Sequence, residues 1–412
     1  MKNAPIWLAA TAILFATATA PRAQEERAEV IHWWTSGGES AGVRVIAEAF
    51  EKAGGTWVDN AVAGGTNART AAINRIVGGN PPTMVQFNTG RQFEELVDNG
   101  LLRPLDDIAE AQGWKDVLPP AILDAITRDG SIYAVPVNIH GTAWMFHNAK
   151  IFQDAGVTPP TTWQEVIDVA PALREKGIIP LALGGQPTWE HSLFNAILAD
   201  EGGPELFRSV YGEGDSGAVE EDGFRHVAEL YGQMRDLVDP GSPGRNWNDA
   251  VALVITGKAA MTENGDWAKG EFIAAGQQPD ADYGCTLMGP HAPMLIGGDV
   301  FVFPVIEDDA VIATQDKLAG LILSDQVQID FNKVKGSIPV RQDVDVSSMD
   351  ACAQKARAAM NDPARQLEAQ ELLSTPDRTG ATRDVISQFW NNKQATTDDF
   401  VQNFADALDS TY

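Results

Sequence analysis

With only two cysteines in 412 residues, and six histidines that never cluster, the chain has little from which to build a structural metal site. The nearest useful histidines, His140 and His147, have no cysteine or carboxylate at ligand spacing, so no metal is expected. A Gly-x-x-x-x-Gly-Lys-Ser/Thr loop is missing, and so is a Gly-x-Ser-x-Gly elbow. One Gly-x-Gly-x-x-Gly match exists, at Gly212, Gly214 and Gly217, but it lies in an acidic loop after a helix. Glu213, Asp215, Glu220 and Glu221 beside it would repel a phosphate, so no nucleotide cofactor is expected. Positive charge is scarce as well: 30 Lys and Arg against 57 Asp and Glu leave −27, which argues against nucleic acid or anionic lipid as a partner. Beyond the N-terminus no apolar run approaches the ~18 residues of a spanning helix.

The N-terminus itself has the layout of a secretory signal: Lys2, an apolar run from Ala4 to Ala20, then Pro21-Arg22-Ala23-Gln24. Pro21 disfavours cleavage after Ala20, so residues 1–23 are read as the leader, and no cysteine offers a lipid anchor. Loss of Lys2 and Arg22 takes the charge from −27 to −29. The remaining length, about 390 residues, exceeds what one core usually serves and predicts two domains. In an oxidising compartment Cys285 and Cys352 make either one disulfide or two buried thiols.

Strand-like segments at 29–35, 83–87, 132–137, 142–147, 179–183, 257–263 and 298–304 alternate with helical ones at 40–52, 68–77, 92–99, 162–176, 223–237, 247–255 and 310–324. That alternation predicts an α/β protein with mostly parallel sheets. From Met349 onward the pattern is helical, at 351–360, 362–373, 380–392 and 396–409, with no clear strand. No repeat and no low-complexity linker appears, so the lobes should be joined by short crossing strands and each be discontinuous in sequence.

Eleven tryptophans are a generous supply, and several sit among Gly, Asn, Asp and Ser. Trp33 and Trp34 precede Thr35-Ser36-Gly37-Gly38-Glu39, Trp267 ends Asn264-Gly265-Asp266-Trp267, and Trp189 follows Gly184-Gly185-Gln186-Pro187-Thr188. A pyranose presents apolar C–H faces and a rim of hydroxyls, which flat aromatics and planar polar groups match.

These segments resemble the glucose- and mannose-type solute-binding proteins of carbohydrate ABC transporters. The likeness rests on Trp33-Trp34-Thr35-Ser36-Gly37-Gly38-Glu39, Val135-Pro136-Val137-Asn138-Ile139-His140, the run from Gly265 to Phe272, and Phe331-Asn332 through Lys335-Gly336-Ser337-Ile338-Pro339-Val340-Arg341. Four motifs in the right order cover essentially the whole mature chain. The resemblance implies a type II-like periplasmic-binding-protein fold, with residues 24–137 plus about 299–341 in one lobe and 138–298 plus about 342–412 in the other. It also implies a periplasmic monomer that binds a mono- or oligosaccharide without cofactor or chemistry and passes it to ABC permease subunits.

Trp33 or Trp34 would then face Trp267 across the sugar, with Glu39 and Asp299 accepting from its hydroxyls and Lys335 donating from the loop before Gly336. His140 and Trp189 are further candidates, and the resemblance favours a Cys285–Cys352 disulfide. Two positions depart from the pattern. Asn88 stands where glucose-type relatives place a lysine, and Arg378, in Asp377-Arg378-Thr379-Gly380, stands where they carry a histidine. The alternative from another class is a secreted glycosidase or sugar-modifying enzyme using Glu39 and Asp299 as its carboxylate pair.

Overall fold

The computed structural model describes residues 26–291 and 293–411, so the expected leader lies outside the described residues. Among the described residues no helix is long and apolar enough to cross a membrane.

The first sheet has five strands in the order Thr56–Ala61, Arg27–His32, Met84–Asn88, Asp299–Val302, Ala134–Pro136. Its first three are parallel, and the two leading ones feed the helices Gly37–Lys52 and Gly65–Val77. Val43, Ile46, Ala47 and Phe50, the apolar stripe expected from their spacing, form the buried face of the helix Gly37–Lys52. Ser36 and Glu39 close a capping box at its start.

A second sheet orders Tyr283–Leu287, Trp144–Asn148, Ala259–Asn264 and Ile179–Leu181, and only its last pair is parallel. A third joins Gln366–Glu368, Met294–Gly297 and His140–Thr142. The sheets are therefore mixed, not mostly parallel. Asp299–Val302 enters the first sheet from the other lobe and runs antiparallel to both of its neighbours. Crossing strands, which no local pattern reveals, reverse the direction.

The chain passes from the first sheet to the third at residues 137–140 and back again at 297–299, as the strand ends on either side show. The two passages nearly touch: a Cβ on Gly298 would stand 2.4 Å from the Asn138 carbonyl oxygen, so only glycine fits. The helix Asp325–Lys335 braces them. Its buried Gln328 and Asn332 donate to the Val137 carbonyl at 3.0 and 3.2 Å, and Ile139 pairs with Ile338. The segment from Phe331 to Arg341 is thus a clamp on the crossing, and Lys335 sits in the last turn of a helix, not in the loop expected for it.

The tail packs on the second lobe. Helices Pro376–Asn391 and Thr397–Asp409 bring Phe389, Phe400 and Phe404 against Phe194, Phe224 and Tyr231. Each such ring contributes about 1.5–3 kcal/mol by leaving water. The tail is not wholly helical: Gln366–Glu368 is a strand, parallel to Met294–Gly297, where the sequence predicts one helix over 362–373. A disulfide joins Cys285 to Cys352 across 67 residues, a closure that removes about 4 kcal/mol of chain entropy from the unfolded state.

Candidate functional site

Where the crossings meet, buried polar side chains converge on Asp299. Its Oδ1 accepts from Gln86 at 3.0 Å and Asn88 at 3.2 Å; its Oδ2 accepts from Asn138 at 2.9 Å and meets His140 Nε2 at 2.8 Å. The other nitrogen of His140 lies 2.6 Å from Asp266, whose second oxygen takes the Gly141 N–H at 3.0 Å. Burial alone would push the imidazole toward neutrality, but Asp266 and Asp299 outweigh it and hold the pKa up at about 9. Burial opposes the Asp299 carboxylate in the same way, yet His140 and Lys335 keep its pKa below the ordinary range. The result is a charged Asp–His–Asp chain spanning three strand ends.

This assembly spends the groups expected to meet a ligand. A carboxylate offers about four lone-pair sites, and those of Asp299 face four partners. Both nitrogens of His140 are engaged, and Asn88 gives its amide to Asp299 and Gly298. These three residues fix the crossing.

Beside them the arrangement changes. Lys335 is 1% exposed, yet its ammonium makes no hydrogen bond or ion pair among the described residues. It stands 5.8 Å from the centroid of Trp267, close enough for a cation–π contact, and its charge reaches Glu39 and Asp299. Glu39 uses Oε2 to accept from the main chain of Thr35 and Ser36, while Oε1 has no partner among the described residues. Burial raises the Glu39 carboxyl above its usual range, only partly offset by Lys335. The Trp267 indole meets His140 edge-on at 4.8 Å and Trp189 at 6.2 Å, and Trp189 continues to Trp247 at 6.1 Å. Half-buried indoles, a free ammonium and a free carboxylate oxygen therefore share one wall.

Of the two N-terminal tryptophans, only Trp33 stays half-buried, with the Arg69 guanidinium 5.5 Å above its ring. Trp34 does not join the site. It is 1% exposed and packs on Phe301 and Phe331, because successive residues at a strand end point to opposite sides. Arg378 does not join it either: it lies in the first turn of the helix Pro376–Asn391 and donates to the carbonyls of Tyr211, Gly212 and Thr411, tying down the chain's end.

The model for bacterial extracellular solute-binding proteins matches residues 34–305, about two thirds of the chain. The chain belongs to this family. A probable sugar-binding periplasmic protein of Brucella melitensis is 38% identical over 362 residues, 87% of this chain and 85% of that one. One of the same description from Rhizobium meliloti is 38% identical over 349 residues, 84% and 83% of the two chains. Among solved structures, a chitin oligosaccharide binding protein superposes with a TM-score of 0.77 at 20% identity, covering 94% of this chain and 99% of that one. A bacterial solute receptor with a preference for β-D-galactopyranose gives 0.79 at 18%, over 94% and 98%. These likenesses establish the two-lobed fold of a solute-binding protein.

Several groups in this solute-binding protein escaped the sequence reading. Gln86 supports Asp299, and Asn138 and Asp266 support the histidine, although the latter two lie inside recognisable motifs. Arg69, Arg383 and Glu371 are different. All three are half-buried, and Arg383 exerts its charge on both Arg69 and His191. They sit on helices of ordinary polar spacing, so only the topology marks them.

Proposed function

We propose that the protein is the periplasmic sugar-binding component of an ABC importer, closing around a mono- or oligosaccharide and delivering it to the membrane permease. The observation that carries this reading is the wall formed by Trp267, Lys335 and Glu39. It offers an aromatic face beside one unspent donor group and one unspent acceptor, a match for a pyranose's C–H face and hydroxyl rim. The names of the relatives from Brucella melitensis and Rhizobium meliloti point the same way. Mechanistically, the braced crossing acts as a hinge, and a ligand that touches both lobes favours the closed form. The closed monomer is what the permease would engage.

The glycosidase alternative needs Asp299 as a reacting carboxylate, and its filled acceptors and depressed pKa leave it no free lone pair. A thermal-shift screen of the mature protein against mono-, di- and modified saccharides tests the reading. One sugar should raise the melting temperature, with about 2.7 kcal/mol of stabilisation at a hundredfold excess over Kd, and be recovered unchanged. Trp267→Ala should abolish that shift. A sugar consumed during incubation would transfer the case to the enzyme, and silence across the panel would end the carbohydrate assignment.

A further inference from the structure

The wall of Trp267, Lys335 and Glu39 is assembled from three separate stretches of chain, and a glycine stands beside each of its members. Gly38 precedes Glu39, Gly336 follows Lys335, and Gly270 lies three residues beyond Trp267. These glycines meet one another. A Cβ on Gly38 would stand 2.5 Å from the Gly270 carbonyl carbon, one on Gly270 2.8 Å from the Lys335 carbonyl oxygen, and one on Gly336 2.9 Å from the Gly270 nitrogen. Main chain therefore touches main chain at all three, and a side chain at any of them would push the stretches apart. One turn along the helix Gly37–Lys52, on the same face, a Cβ on Gly42 would meet that of Lys335 at 3.3 Å.

Such a junction has no interlocking side chains to fix it, so its polar ties decide where each stretch sits. The Gly38 N–H is one of the four at the start of its helix that no carbonyl within the helix can take. It donates instead to Glu271 Oε1 at 2.8 Å, on the helix Ala268–Ala274, which follows a strand of the second sheet. Glu271 makes no other hydrogen bond or ion pair among the described residues. Its own helix is anchored on both sides of it: Phe272 stacks on Tyr283 at 4.2 Å, and the buried Lys269 pairs with Asp350 at 2.9 Å. Glu271 is thus a fixed post, and the turn that carries Glu39 hangs from it.

We propose that Glu271 is a positioning residue for ligand binding: its carboxylate holds the first turn of the helix Gly37–Lys52 in place and so sets Glu39 against Lys335 and Trp267. This rests on the carbohydrate reading above. A polar binding group must be held within about 0.5 Å of its productive place, and Glu39 is one residue from the tie. A carboxylate at a helix start also stabilises the helix by its charge alone. The two roles part on substitution. Aspartate keeps the charge but is one methylene too short to reach, whereas glutamine keeps the reach and the acceptor oxygen without the charge.

Isothermal titration of the mature protein with glucose, galactose, xylose, maltose and diacetylchitobiose tests it, the tightest binder being carried through the variants. Glu271→Ala and Glu271→Asp should each weaken binding at least tenfold, while Glu271→Gln stays within threefold of wild type. Ligand-free melting curves check that each variant is folded, and the aspartate and glutamine pair carries the comparison should the alanine variant fail to fold. Glutamine as damaging as alanine with aspartate harmless would show that only charge matters and overturn the inference. So would a lowered melting temperature with affinity intact, and either result leaves the carbohydrate reading standing. Absence of binding by every saccharide ends both.

Discussion

Two polar clusters share the boundary between the lobes, and they follow opposite plans. Around His140, Asp299 and Asp266 each donor meets an acceptor within 3.2 Å, and the charges alternate in sign. Arg69 makes one long hydrogen bond among the described residues, to Asn88 Oδ1 at 3.4 Å, and feels the like charge of Arg383. Buried polar groups are ordinarily satisfied, as those of the first cluster are, whereas Arg69 and Arg383 are half-buried and reach water. Trp267, Lys335 and Glu39 lie against the first cluster and share the incompleteness of the second. The same comparison explains why several residues expected to hold the ligand turn out to hold the hinge.

Breaking the finished cluster should cost most. Asp299→Ala leaves a buried imidazolium, Asn138 and Gln86 without their acceptor, and removing one partner of a buried pair typically costs about 3–5 kcal/mol. Urea denaturation of the ligand-free protein should show a loss of that size. A loss under about 1 kcal/mol would mean that the network is not what holds the crossing.

The pH dependence of stability separates the clusters next. His140 titrates at about 9 when folded against an ordinary value of 6.5, so the folded state retains a proton that the unfolded state has released. Its contribution is complete below about pH 6.5 and is lost as pH rises through about 9, up to about 3 kcal/mol in all. Glu263, buried on the strand Ala259–Asn264 with a pKa raised to about 8, also loses stability with rising pH, from about 4.5 to about 8. The test is therefore the difference between wild type and His140→Gln, each denatured at pH 6, 7.5 and 9. That difference should narrow steadily with pH; if it stays constant, His140 is not protonated in the native state.

Much of this architecture was legible in sequence where burial is one-sided. The helices 247–255 and 351–360 have the ends their apolar spacing predicts, and the strand at 84–88 begins within a residue of its expected start. The misses have physical causes. Thr56–Ala61 is a half-exposed edge strand, so it carries no inward alternation to read. The helix Asp325–Lys335 buries Gln328 and Asn332 against the crossing main chain, which erases the apolar stripe that announces a helix. Gln366–Glu368 is a strand only because Met294–Gly297 lies beside it, a tertiary pairing no local propensity encodes. At the site, Trp267, Glu39 and Lys335 stand inside recognisable motifs. Arg69 and Arg383 lie 314 positions apart, so no local pattern relates them.

That long separation makes the smallest predicted effect the most discriminating. Removing a satisfied arginine from a folded protein ordinarily destabilises it. Arg383→Gln instead removes a charge that repels Arg69 and forfeits no hydrogen bond or ion pair among the described residues. The ligand-free variant should therefore be as stable as wild type or slightly more so, by no more than about 1 kcal/mol, since partly exposed charges interact weakly through water. The gain should fade as salt is raised from 0.05 to 0.5 M, because screening removes the repulsion being relieved. A clear loss of stability would show that Arg383 has an internal partner after all, and the contrast between the two clusters would fall with it.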